Sequence, residues 1–200
     1  MKHDFDSKRR LLLQAGSALG LSAVSGSLFA QSAYPAKTIR AIVPFSTGGG
    51  TDVVGRALLQ NMSTILGKSL IIDNKPGAGT VIGSDYVAKA DPDGYTLLMT
   101  TSALAINASL IKNLPYNTLV DLTPVGRICH GPNVVVVRAD SPFKSLADVI
   151  KASKNKPGSL SYASSGTGSS VHMSTELLKL MANVHILHIP YRGAGPAYTD

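Results

Sequence analysis

The chain has 200 residues, 44% hydrophobic and 16% charged, so it can bury a core of its own; its formal charge is +7. Its cations are scattered singly, apart from Lys151, Lys154 and Lys156, which read as the solvated end of a helix. Nucleic-acid binding needs basic residues massed with aromatics on one face, so that class is set aside. The lone Cys129 excludes an intramolecular disulfide, a cysteine metal quartet and a Cys-x-x-Cys redox pair, and reads as a small buried hydrophobe.

Residues 1–33 read as a targeting segment. Lys8-Arg9-Arg10 precedes an apolar run over 11–29, and small residues near Ala30 and Ala33 offer cleavage sites. Gln14, Gly16, Gly20 and Gly26 interrupt the run, which argues against a permanent membrane span. Arg9-Arg10 before three leucines resembles a twin-arginine signal, while Lys8 in front of the pair keeps Sec export open. The expected product is soluble and periplasmic, with its N-terminus between Gln31 and Tyr34 and no cysteine to carry a lipid anchor.

From Tyr34 onward, short β-branched runs alternate with longer helical ones. The pattern predicts a buried strand over 39–44, a helix over 51–66 with Val54, Leu58, Met62 and Ile65 on one side, and a strand over 70–73. A helix over 81–90 and a strand over 96–101 follow, the latter set by the turn Asp91-Pro92-Asp93-Gly94. A second series comprises a strand over 134–138 and a helix over 145–153 with Ser145 as N-cap and Asp148 at N3. It continues with a strand over 160–163, a helix over 169–183 and a strand over 185–189. Such alternation implies an α/β fold with parallel sheets and helices on both faces. We expect two lobes, 34–133 and 134–200, with the second incomplete because the chain stops within a helix entered at Gly193.

Three loops carry candidate chemistry. Phe45, Ser46, Thr47, Gly48, Gly49, Thr51 and Asp52 lie between the first strand and first helix, where glycines and unpaired helix amides suit a carboxylate or phosphate. Asp52 is expected to cap that helix or to bond loop amides. The alternative is a tight turn with no ligand. Ser165, Gly166, Gly168 and Ser169 repeat the pattern in the second series, and two such loops can face each other across a cleft. Thr101 and Ser102, with Asn107, follow the third strand, at the end of a parallel sheet where ligands collect; a polar loop satisfying its own backbone is the alternative. The first loop lacks both the Walker lysine and dinucleotide glycine spacing. His172 and Glu176 are spaced as a helix-surface pair, the other histidines form no metal-ligand cluster, and no Gly-x-Ser-x-Gly elbow is present. Neither a catalytic residue, a metal nor another cofactor is expected.

Several motifs occur in order: Tyr34-Pro35-x-Lys37-x-Ile39-Arg40, Pro44-Phe45-x-x-Gly48-Gly49-x-x-Asp52 and Asn74-Lys75-Pro76-Gly77-Ala78-Gly79 with Ile82-Gly83. Pro92-Asp93-Gly94-Tyr95-Thr96-Leu97, Leu114-Pro115-Tyr116, Pro157-Gly158-x-Leu160-x-Tyr162-x-Ser164 and His188-x-Pro190-Tyr191-Arg192-Gly193 continue them. Together they resemble the Bug family, the extracytoplasmic solute receptors of tripartite tricarboxylate transporters. The resemblance implies a two-lobed periplasmic binding protein of the type 2 flytrap kind, with its C-terminal part lying beyond Asp200. It also implies a monomer without enzymatic activity that hands a small carboxylate to membrane permease subunits. The implied ligands are di- and tricarboxylates, acidic amino acids or aromatic acids. They would be held, partly through water, by loops matching residues 45–52, 101–107 and 165–169. Ala108 replaces a family proline and Gly55 a family alanine; neither change removes a donor. A carboxylate-sensing module docked on a membrane kinase and an exported hydrolase are the competing expectations.

Overall fold

The computed structural model describes residues 34–200. The expected export segment over 1–33, with its expected cleavage sites, lies outside them. A short lead segment ends at Ala36, and Lys37–Asp200 forms one compact unit.

Within that unit, β1 (Ile39–Val43) is flanked by β2 (Leu70–Asn74) and β3 (Thr96–Leu98) in a parallel sheet of order β2-β1-β3. Four of the five β1 residues are buried, as expected of a central strand covered on both faces. Between β1 and β2 runs α1 (Gly50–Leu66), and α2 (Val81–Ala88) precedes β3. A second parallel pair joins β4 (Ser161–Ser164) to β5 (Leu187–Pro190) through α5 (Ser170–Ala182). The remaining helices are α3 (Ala103–Leu110), α4 (Leu146–Asn155) and the terminal α6 (Ala194–Thr199).

The buried side of α1 is not the one its large apolar residues suggest. Val54 is exposed and Ile65 is 82% exposed, whereas Asp52, Gly55 and Leu59 are buried. The reason is close approach: a Cβ at Gly55 would fall 2.8 Å from Met99 Sδ and 3.0 Å from Ile72 Cδ1. Glycine and a hydrogen-bonded aspartate therefore face the sheet, positions that counting apolar residues overlooks. Met99 itself packs with Val43 and Phe45 in the core.

Four further expectations are corrected. Residues 134–138 form no strand, and Val134 is 75% exposed. Their β-branched side chains favour extension, but among the described residues no strand supplies the ladder hydrogen bonds a sheet needs. Cys129 is exposed instead of buried, because it lies in that same uncovered stretch. The third strand stops at Leu98, and most of the segment 101–107, expected as loop, belongs to α3 (Ala103–Leu110). Ala78–Thr80, to which the sequence reading assigns no element, form a 3-10 turn before α2 with positive φ at all three residues.

The N-terminus of α4 forms as expected. Ser145 Oγ accepts from Asp148 N, and Asp148 Oδ2 accepts in return from Ser145 N, a reciprocal capping box. Ser145→Ala should cost about 1 kcal/mol, read as a lower urea midpoint with an unchanged slope.

Candidate functional site

The β1–α1 loop is pinned from below by one side chain. Asn74, at the end of β2, donates through Nδ2 to Phe45 O and Asp52 Oδ1, both at 3.0 Å, and accepts from Thr47 Oγ1 and Arg56 at 3.1 Å. Asp52 is 2% exposed and accepts from Gly48 N at 3.0 Å and twice from Arg56, at 2.9 and 3.0 Å. These bonds, led by the Arg56 guanidinium, hold its carboxyl at a pKa of about 2. Of the two roles open to Asp52, bonding a loop amide is the one observed; the N-cap position belongs to Gly49, with no side-chain cap. Arg56 is consumed by this network. Gly48 N is likewise spent, and Val53 N donates to Gly49 O at 3.0 Å, so the first-turn amides of α1 without helical acceptors are those of Gly50, Thr51 and Asp52.

The second loop is less free than its composition suggests. Gly166 N donates to Ser164 Oγ at 3.2 Å and Gly168 N to His172 Nδ1 at 3.2 Å. Ser169 caps α5 by accepting from His172 N. Ser165 and Thr167 remain to face outward.

Asn107 is fully buried within α3, donating to Gly79 O at 2.6 Å and Thr80 Oγ1 at 3.1 Å. It supports the 3-10 turn instead of lining a polar loop. Thr101 Oγ1 accepts from Ala103 N at the start of α3, and Ser102 is the N-cap residue without a side-chain cap. The segment expected as a third ligand loop is thus the entry and first turns of a helix.

What the structure brings together is a cleft of about 250 Å³. One wall is Pro44 with Gly77–Thr80; the other is Ser165, Gly166 and Thr167 with Pro190–Arg192. The walls touch where Gly79 meets the Thr167 carbonyl. Ser46 N donates to Arg192 O at 3.0 Å, so the segment after β5 also lies against the first loop. Of the expected ligand residues, Ser165 and Gly166 line this cleft; Phe45, Ser46, Thr47, Gly48, Gly49, Thr51 and Asp52 are not among its lining residues, and Ser46, Thr47 and Gly49 lie against residues 192–195. Residues 77–80 and 190–192 were present in the sequence only as motif matches. Their Pro-Gly-Ala-Gly and Pro-Tyr-Arg-Gly runs were the available signal.

A broader hollow of about 860 Å³, lined by Lys37, Lys75, Tyr86, Lys89 and Tyr95 among others, is the weaker candidate. Its lysines are neutralised by Asp93, Asp73 and Asp85 at 2.7–3.4 Å. In the small cleft, by contrast, Arg192 has no carboxylate among the lining residues. Ser164 and His188 approach to 2.7 Å, but Ser164 is 1% exposed and its hydroxyl is shut away from any substrate.

The profile described as "Tripartite tricarboxylate transporter family receptor" matches residues 54–200. The chain belongs to this family. It is 39% identical to BugT of Bordetella pertussis over 193 residues, covering 96% of this chain and 59% of BugT. An R. palustris protein solved with adipate superposes with a TM-score of 0.80 at 36% identity, covering 84% of this chain and 56% of that one. MatC from Rhodopseudomonas palustris with bound malate gives 0.74 at 32% identity, covering 83% and 57%. The chain thus spans a little over half the length of these relatives. Its mixed α/β fold is that of periplasmic binding proteins, and its relatives are substrate-binding receptors, not enzymes. Among the described residues, no helix is long and apolar enough to cross a membrane.

Proposed function

We propose that this receptor is exported to the periplasm and captures a small di- or tricarboxylate for a tripartite tricarboxylate-type permease. In this reading, lobes 34–133 and 134–200 meet at the 250 Å³ cleft. The observation that carries it is the cleft's lining: glycine-rich turns and hydroxyls from both sides, one arginine and no acidic side chain. Such a surface offers neutral donors and one positive charge to an anion. Its volume lies just below the range that suits drug-sized ligands, which fits a compact acid. Malate and adipate in the related structures support the same class.

A thermal-shift panel of carboxylates on the full-length protein tests this. Malate, adipate or a tricarboxylate should raise the melting temperature, and matched monoamides or sugars should not. Arg192→Gln should weaken dicarboxylate binding about tenfold, the loss of one charge-assisted contact, while a monocarboxylate of equal length loses less. Equal losses for both would remove Arg192 from the ligand's second carboxylate. Co-purification of the receptor with its permease subunits tests the partner.

A further inference from the structure

The cleft wall at residues 165–168 hangs from a stack of aromatic rings. His172, in the first turn of α5, stacks on His188 of β5 with centroids 4.1 Å apart and planes at 18°. His188 stacks in turn on Tyr162 of β4 at 4.9 Å. Two loop amides end on this stack. Gly168 N donates directly to His172 Nδ1, and Gly166 N donates to Ser164 Oγ, which is 2.7 Å from His188 Nε2. Ser165, Gly166 and Thr167 between and beside them line the cleft.

We propose that His172 is a positioning residue for the ligand-holding loop, and that its neutral imidazole, by accepting the Gly168 amide, keeps the cleft in its capturing geometry. This rests on the receptor reading above. Nδ1 accepts only while it carries no proton. Protonation turns it into a donor facing another donor, and the Gly168 amide loses its acceptor. The second ring cannot absorb the change, because two imidazolium rings stacked at this distance repel each other. The charged and titratable groups around the pair are few. Glu176 on the same helix accepts from Tyr162 Oη and Lys179 Nζ, both at 2.7 Å, so its charge is already engaged. Lys179 adds a positive charge on that side, and Tyr162 covers the far face of His188. Burial, then the neighbouring His172, lowers the pKa of His188, consistent with a pair that resists charging.

The sign follows. Capture is full while the His172 ring is neutral and weakens once the ring takes up a proton. The test uses the full-length protein and two readouts. In ligand-free protein, the Gly168 amide resonance should titrate with the same midpoint as the His172 ring, and its pH dependence should vanish in His172→Phe. In calorimetric titrations with malate or adipate, wild-type affinity should fall about fivefold more between pH 7.5 and 5.5 than that of His172→Gln. Glutamine keeps an acceptor that does not titrate, and the ligand's own protonation is common to both proteins. A Gly168 amide that ignores the His172 titration overturns the proposal, as does an identical pH profile in wild type and His172→Gln. Failure of both acids to bind either protein would count against the receptor reading, and the amide titration, which needs no ligand, would still decide this one.

Discussion

Asp52→Ala should lower the unfolding free energy by about 3 kcal/mol, the largest stability effect expected of any single surface-distant change here. The carboxylate is 2% exposed and satisfies Gly48 N, Asn74 Nδ2 and two Arg56 donors at once. Removing it takes the acceptor from Gly48 N and leaves Asn74 Nδ2 with Phe45 O alone. Arg56, being half exposed, recovers water and softens the loss. The same network predicts acid sensitivity. The folded pKa of about 2 lies below the ordinary 3.8, so the stabilisation is complete above pH 4 and is lost as pH falls toward 2. The difference corresponds to about 2 kcal/mol. Denaturant titrations of wild type and Asp52→Ala at pH 7 and pH 2.5 check both points: the gap between the two proteins should narrow at the lower pH. A gap that stays constant would mean that the carboxylate's charge contributes nothing.

Gly79→Ala should have the largest effect on capture. Gly79 sits at φ +61° in the turn between β2 and α2, and an added Cβ would overlap the carbonyl oxygen of Thr167 in the opposite wall. Left-handed backbone costs a residue with a Cβ about 1 kcal/mol. The overlap is with backbone, so it is relieved only by moving the walls apart. Affinity for the captured acid should therefore drop at least tenfold, with a melting temperature lowered by only a few degrees. Isothermal calorimetry and a thermal melt on the same sample separate the two effects. A variant that binds like wild type would mean that the contact between Gly79 and Thr167 does not define the holding geometry.

Both residues show what the sequence made legible. Hydrophobic periodicity and turn chemistry located β1, β2, β4 and the helices α1, α2, α4 and α5 to within a few residues, because each pattern reports local physics. The capping box at Ser145 and Asp148 is the clearest case: both partners lie within one helical turn. The strand expected over 134–138 failed because propensity says nothing about whether a neighbouring strand exists. Helix α3 was overlooked because Thr101, Ser102 and Asn107 read as polar loop residues, although Asn107 turns inward to hold Gly79 and Thr80. The buried face of α1 was misassigned for a similar reason: Gly55 and Asp52 face the sheet for closeness and hydrogen bonding, not hydrophobicity.

The site was legible in kind more than in detail. Glycine-rich turns at 45–52 and 165–169 were found from composition, yet Gly48, Gly166 and Gly168 spend their amides inside the protein. Those bonds run to Asp52, Ser164 and His172, and only the tertiary fold brings Ser164 to His188 across 24 residues. Arg192 entered only as a motif residue, because it follows the last strand, well away in sequence from the glycine turn at 77–80 that lines the same cleft.

The most direct test of capture in this cleft is calorimetric titration of the full-length protein with malate and with adipate, repeated on Arg192→Gln and Gly79→Ala. Saturable one-to-one binding of at least one acid, weakened about tenfold or more by each substitution, is the predicted result. Binding that survives both substitutions unchanged would place the ligand elsewhere and contradict the account.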